Sequence, residues 1–594
     1  MSSSKKRDVE MELFVIQNQN KSSESPVSKD YNVFKSFRPV VEYINAEQHS
    51  YEEIAGIVSN KDDLNMLCLT LRSWTIGILF AILISTVNQY FEYRTKTYSF
   101  SASLVLLLAY PIGKCLERCL PKKTKIIGTN ILLNPGKFTI KEHAVILIMA
   151  LTAAQKYYAI DIVANEKVYS NKQTRFVIGL FLDLSVQIMG YGMAGVMRRF
   201  LVWPSEMIMP STLPYIAFLR TLHERDTLLS TKWLNMSRLK FFTIVCICSA
   251  VYYWLPGYIM PVLAAFSWIC MINPKNILLS QVTGNGGFGF GTFQFDWRTI
   301  TQLIGSPILT PRWAHLNILV GFILVGWLIM PILYYTNTFN FKLLPIKSDQ
   351  FFLADGNYLD ILNPRTPIRL TVASCMGYYL LFASLAALVV HTILFNGKDI
   401  LKQSHTSLKK RQNDIHCTLI SKYPEAPEWA YALLFLCAFI CACFVCHYGN
   451  LMPWYYQFLC ASLAFVCLLP SGIVTAQTNM QFNMNYMLYV FGGVFLHGKN
   501  PIWNSTFSTY SWAIQNQALN LLINLKFGHY MKISPRAMFS TQLIITILSA
   551  TIRYGMAHYL LTTIVGICTY VDPNNPWECP NISTTYAIAF GKIG

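Results

Sequence analysis

Asp183 stands within the apolar run 176–196, one helical turn before Gln187. An ionised side chain deep in a membrane costs at least ~2.5–3.5 kcal/mol even on insertion scales. Two readings of such a residue are open: half of a structural pair, or a carboxylate whose burial lets it load and release a proton. His391 near the end of the run 370–395, and Arg553 and His558 within 538–567, are further ionisable groups in apolar surroundings. Glu142 and His143 follow a turn signal, Asn134-Pro135-Gly136-Lys137, at the mouth of an apolar run. A carboxylate and an imidazole at a helix N-terminus can exchange protons near neutral pH, and an acid there can equally be a helix cap.

A second set of candidates carries positive charge. Lys526, His529, Lys532 and Arg536 cluster around Pro535 between two apolar runs. Cations at such a break suit a carboxylate, for instance a peptide C-terminus, and equally suit an ordinary basic loop. Gly284, Gly286 and Gly289 spell a literal G-x-G-x-x-G, but they follow an apolar run and lead into Phe293, Phe295 and Trp297. A dinucleotide site needs a strand before and a helix after, so the expectation is irregular backbone beside a pathway. Cys443, Cys446 and His447 match a haem-attachment spacing inside an apolar run, and membrane packing is the expected role. Cys568 and Cys579 bracket the polar segment TYVDPNNPWE, where a disulfide is plausible if the segment is extracellular. No metal site and no catalytic set emerges; the expectation is no cofactor, with the proton as coupling ion.

These residues have to be held by helices. Apolar runs of about membrane-spanning length recur with short polar breaks at 69–87, 99–112, 143–159, 176–196, 241–254, 257–272, 316–335, 370–395, 429–448, 453–476, 486–496, 512–525 and 538–567, with a last run from Tyr586. The expectation is an all-α, polytopic membrane bundle of about thirteen or fourteen segments. Several runs are short or carry Pro, as at Pro210, Pro214 and Pro261, which predicts broken or re-entrant segments around a central pathway.

Composition agrees. The 594 residues are 53% hydrophobic and only 13% charged, too few charges for the surface of soluble domains. The net charge of +18 lies in short stretches beside apolar runs (Lys114, Arg118, Lys122, Lys123 and Lys125; Arg198 and Arg199; Lys398 to Arg411), the pattern of cytoplasmic loops rather than of nucleic-acid binding. Residues 1–63 are polar and read as a disordered cytosolic tail with room for one short helix, leaving 64–594 as the membrane domain. The first span would then serve as the targeting signal.

Eight ordered blocks carry a resemblance. They are DDLNMLCLTLRSW at 62–74, NPGKFTIKEH at 134–143, AGVMRRFLVWPSEMIMPSTL at 194–213, WLPGYIMPVLAAFSWICMINPKN at 254–276, GFGTFQFDWRTITQLIGSPILTP at 289–311, DIHCTLISKYPEAPEWAY at 414–431, LKFGHYMKISPRAMFSTQ at 525–542 and PWECP at 576–580. Together the chain resembles the oligopeptide transporter family in its peptide-transport branch. The resemblance implies a proton-coupled importer of tetra- and pentapeptides, or of glutathione, in the plasma membrane, partnered by a small peptide and the lipid bilayer. Glu142, His143 and Asp183 would be the proton-handling candidates, Asp183 on membrane physics alone. Lys532, Pro535 and Arg536 would engage the peptide, and Asn134, Pro135, Gly136 and the glycine segment would shape the pathway. Lys137 and Ser534 stand where the family usually has proline; the second change is expected to loosen the turn holding Lys532 and Arg536. Family members usually continue past the final AFGKIG, so the domain is expected to be incomplete at its C-terminus. Three rivals stay open on sequence: a metal-chelate or glutathione-conjugate transporter, a membrane enzyme, and a non-transporting remnant.

Overall fold

A computed structural model describes residues 52–95, 97–121, 134–170, 174–224, 237–273, 275–297, 301, 309–348, 350–358, 368–404, 415–496, 500–564, 566–567 and 576–577. It divides into two units, residues 1–60 and 61–594. In the first, Glu52–Ile57 is a short helix; residues 1–51 of the tail expected over 1–63, the Cys568–Cys579 pair and the run from Tyr586 lie outside the described residues. All that follows concerns the second unit.

The helices used below are, in chain order, α1 Leu71–Glu92, α2 Ala102–Cys119, α3 Ile140–Ala154, α4 Ala159–Ser170, α5 Phe176–Leu201, α6 Leu213–His223 and α7 Arg238–Trp254. They continue as α8 Arg312–Phe322, α9 Val372–His391, α10 Glu428–Tyr448, α11 Tyr456–Thr478, α12 Asn485–Phe495, α13 Pro501–Tyr530 and α14 Pro535–Thr563. Among the described residues the only sheet is a two-residue antiparallel pair, Phe352–Leu353 with Ile368–Arg369. Nine helical stretches among them are long and apolar enough to cross a membrane. The chain is a multi-pass, all-α membrane protein.

Local chemistry sets the helix ends. Thr70 and Ser73 close a capping box on α1, and Thr139 and Glu142 close one on α3. Asn500 caps α13 ahead of Pro501, and Pro535 opens α14. Asn479, at φ 63°, ends α11. The expected broken segments are present. The run 257–272 divides into a wide turn, Leu255–Ile259, a tight one, Pro261–Ala265, and Trp268–Ile272.

Among the described residues nine stretches meet that length and hydropathy, against thirteen or fourteen segments expected over the whole chain, and α13 shows one reason. The expected short segment 512–525 lies inside a 30-residue helix that is almost wholly buried. Its Asn504, Ser508, Gln515, Gln517 and Asn524 lower its hydropathy, so it is a central helix shielded by others rather than a lipid-facing one. The core packs α13 against α5, α11 and α12, α5 against α10, and α14 against α1, α3 and α5. By contrast the stretches Arg238–Ile259, Arg312–Tyr335 and Val372–Lys402 bury almost nothing. Ile247, Val251, Leu316, Val320, Ile393 and Leu394 face outward there, as lipid-facing side chains do.

Glycine sets the spacing within the core. A Cβ on Gly179 of α5 would lie 2.1 Å from the Tyr554 hydroxyl, and one on Gly195 would lie 2.0 Å from the Tyr431 ring. Neither helix could approach α5 as closely if those positions carried a side chain.

Candidate functional site

Most of the ionisable residues singled out in the sequence fall into two groups, one around the starts of α3 and α14 and one between α5 and the later part of α14. At the first end, Glu142 accepts hydrogen bonds from its own cap, Thr139 N at 2.9 Å, from the Thr70 hydroxyl and from Arg72 at 2.7 Å. All of these are buried except the cap, which is partly so. Arg72 also donates to the carbonyls of Gly136 and Lys137, at 3.2 and 3.4 Å, and lies over the Phe138 ring. The Asn-Pro-Gly turn is therefore read by an arginine from α1. Asn134 donates to the carbonyls of Glu117 and Leu120 and accepts from Gly136 N, while Glu117 accepts from Phe138 N at 2.8 Å. Gly136 has φ 121°, which a side chain would strain. Pro135 sits between these anchors.

Next to it, Lys141 pairs with Asp62 at 2.7 Å and donates to the Tyr423 hydroxyl at 2.8 Å, and that hydroxyl donates to Asp62. His143 meets His223 of α6 across 3.0 Å and the Leu106 carbonyl across 2.9 Å. Neighbouring ring nitrogens at that spacing share one proton, so one imidazole donates and the other accepts.

The KISPR block belongs to this same end. Lys532, at φ 53°, donates to the Tyr530 carbonyl at 2.9 Å, and Arg536 donates to the Glu425 carbonyl at 3.1 Å. Lys526 is buried and donates to the carbonyls of Val202 and Pro204. Pro535 lines a small cavity of about 40 Å³ with Arg198, Trp203, Tyr431 and His529. Ser534 has φ −53° and ψ 129°, values that proline itself adopts, so the turn keeps its shape without the usual proline. Burial opposes the charge on Glu117, but the Phe138 amide and Lys114 win, and its carboxyl lies below the ordinary value of 4.5.

The opposite end looks different. Asp183 is fully buried; its Oδ1 accepts a long bond from Gln187 at 3.4 Å, and its Oδ2 has no partner. Arg553 of α14 and Asp161 of α4 act on it electrostatically, and Tyr157 and Tyr554 feel its charge. Arg553 is 2% exposed, donates to the Ala153 carbonyl at 3.0 Å and stacks on Tyr157 at 5.0 Å, yet its Nε has no partner. Gln542, Thr546, Ser549 and Arg553 recur at helical spacing on one buried face of α14, and each has a polar atom without a partner. Ser85 on α1, Tyr157 and Gln187 add three more such atoms.

A cavity of about 330 Å³ opens beside this set, lined by Asn88, Glu92, Ser99, Lys156 and Arg553 among others. Lys156 pairs with Glu92 at 2.6 Å and stands 3.7 Å from Asp161. Sequence reasoning missed Glu92 and Lys156, because each lies at the end of an apolar run where a charge is unremarkable. The glycine segment lines neither cavity described here. It folds back on Ile277–Thr283, with Phe288 N and Phe290 N donating to the carbonyls of Gln281 and Val282, and Gly289 takes φ 73°. Cys446 is buried against Gln457, while Cys443 turns to the Trp454 carbonyl.

The family profile described as OPT oligopeptide transporter protein matches residues 68–593. Oligopeptide transporter 3 of Arabidopsis thaliana is 35% identical over 576 residues, covering 92% of this chain and 78% of that protein. Oligopeptide transporter 2 of the same plant is 34% identical over 576 residues, 92% of this chain and 77% of that protein. Oligopeptide transporter 7 is 33% identical over 565 residues, 91% and 73%.

Proposed function

We propose that this chain, which belongs to the oligopeptide transporter family, is a proton-coupled importer of tetra- and pentapeptides or glutathione at the plasma membrane. The observation that carries the proposal is the buried line of polar atoms without partners on α1, α5 and α14, ending at the large cavity. Within a membrane each unsatisfied polar group costs several kcal/mol. A bundle keeps such a line only where water or a polar solute meets it, which is what a transport pathway provides.

Asp183 is the coupling group in this reading. Its charge faces Gln187 on its own helix, Arg553 and Tyr554 on α14, Tyr157 ahead of α4 and Asp161 on α4. Ionised, it holds Arg553 electrostatically; protonated, it releases that cation to the pathway. Glu142 and Lys141, saturated by their partners, keep the first end closed while the other is open. By the positive-inside rule the closed end, which carries Lys114, Arg118, Arg198, Arg199, Lys532 and Arg536, faces the cytosol. Rocking between the two ends delivers alternating access.

The test is uptake of a labelled tetrapeptide, with and without a proton gradient, in cells lacking their own peptide transporters and carrying the protein at their surface. Gradient-driven uptake is expected, with Asp183→Asn losing the gradient dependence but retaining peptide exchange. Uptake indifferent to the gradient overturns the coupling, and no uptake of tetrapeptide or glutathione overturns the transport reading.

A further inference from the structure

We propose that the large cavity is the subsite for the free α-carboxylate of the transported peptide, gripped by Arg553 and Lys156. The proposal rests on the transporter reading above and names the part of the substrate that the site recognises. Three observations lead to it. The cavity wall carries two cations, Arg553 and Lys156, and one carboxylate, Glu92, with Asp161 behind the wall 3.7 Å from Lys156, so an anion has two charged groups to meet there. Arg553 is almost fully buried, lines the cavity and keeps its Nε without a partner. A guanidinium so held presents a planar fork that a carboxylate fits in two parallel bonds. Lys156 is only partly buried, and its ammonium stands between two acids, Glu92 at 2.6 Å and Asp161 at 3.7 Å, so it can meet an incoming carboxylate while it stays paired with an acid.

At about 330 Å³ the cavity accepts the terminal residue of a peptide, with the rest of the ligand extending outward past Thr97, Tyr98 and Ser99, which are exposed. The cations of the KISPR block are tied to backbone carbonyls at the other end of the core. Carboxylate recognition is thereby assigned to α14 two-thirds of the way along its length and not to its start. Because Asp183 and the carboxylate act on one guanidinium, the two negative charges compete, and a proton on the first favours entry of the second.

The experiment uses the full chain, purified and held in lipid nanodiscs, titrated with tetra-alanine and with its C-terminal amide. Wild type is expected to bind the acid about tenfold or more tightly than the amide, the usual range for a hydrogen-bonded charge. Arg553→Gln brings the ratio close to one, Arg553→Lys restores part of it, and Lys156→Met, at a partly exposed position, lowers it without abolishing it. Equal binding of acid and amide by wild type, with uptake intact, overturns the subsite and leaves transport standing. So does a full preference retained in monodisperse Arg553→Gln and Lys156→Met proteins. Absence of both binding and uptake for either peptide overturns the subsite together with the transporter reading.

Discussion

The two ends of the core treat the same kinds of side chain in opposite ways. At the basic end, Glu142 is met by three donors, Lys141 by an acid and a phenol, and Lys526, Lys532 and Arg536 by backbone carbonyls. The cavity beside Pro535 holds about 40 Å³, room for little more than a water. At the far end, Asp183 and Arg553 sit buried with polar atoms unmet, beside a cavity of about 330 Å³. Both ends leave guanidinium Nε atoms without partners, Arg72 and Arg198 at the basic end and Arg553 at the far one, but among the described residues the buried carboxylate oxygen left unmet is that of Asp183, beside the larger of the two cavities. The presence of an ionisable residue in a membrane run does not distinguish these cases, but its inventory of partners does.

That contrast can be broken most strongly at the saturated end. Arg72→Ala strands the Glu142 carboxylate in a buried position, and removing one partner of such a pair costs about 3–5 kcal/mol. The expected outcome is a large drop in melting temperature. A matching loss from Asp183→Asn would erase the distinction, because Asp183 is expected to affect coupling far more than folding. Next in size is Gly195→Ala. Its Cβ falls within 2.0 Å of the Tyr431 ring, and overpacking of this kind costs about 1–3 kcal/mol. Tyr431→Leu in the same chain should return part of the lost stability in thermal melts.

A smaller effect comes from pH. Glu117 has its folded carboxyl below 4.5, so its stabilising contribution is present above that value and is lost as the pH falls through the lower, folded one. Melting temperatures measured from pH 6 downward should fall less steeply in Glu117→Gln than in wild type; identical slopes would remove this anchor of the Asn-Pro-Gly turn. The smallest expected change is favourable. Ser534→Pro suits the φ already present and should add about 0.4–1 kcal/mol, less the weak contact its amide makes with the Cys68 thiol. A fall in melting temperature would mean the serine contributes more than turn shape.

Hydropathy made the lipid-facing helices legible, because an exposed membrane helix must be apolar around its whole circumference. It failed for α13, whose polar residues are shielded by neighbouring helices, a fact of packing and not of the local sequence. Asp183 could be singled out for the same reason the lipid-facing spans could, as a charge in an apolar run. Arg553 was visible in that way too, but its relation to Asp183 spans 370 positions and only the packing of α14 on α5 creates it. Glu92 and Lys156 gave no signal, since helix ends commonly carry charge. At Ser534 the backbone already has the dihedral angles that proline adopts, so the shape of that turn is kept with serine in place.

The close approaches along α5 also set the limits within which this chain can vary. Gly179 admits Tyr554, Gly190 admits Gln517, and Gly192 and Gly195 admit α10 at Phe435 and Tyr431. In a library holding every single substitution, these four positions should tolerate almost nothing, because each is filled by a neighbouring side chain or backbone. The outward-facing positions of α7 and α8 should accept most apolar replacements. A map of tolerated changes would then draw the outline of α5 as a vacant stripe, and a reader without coordinates could locate the axis of the bundle from that stripe alone.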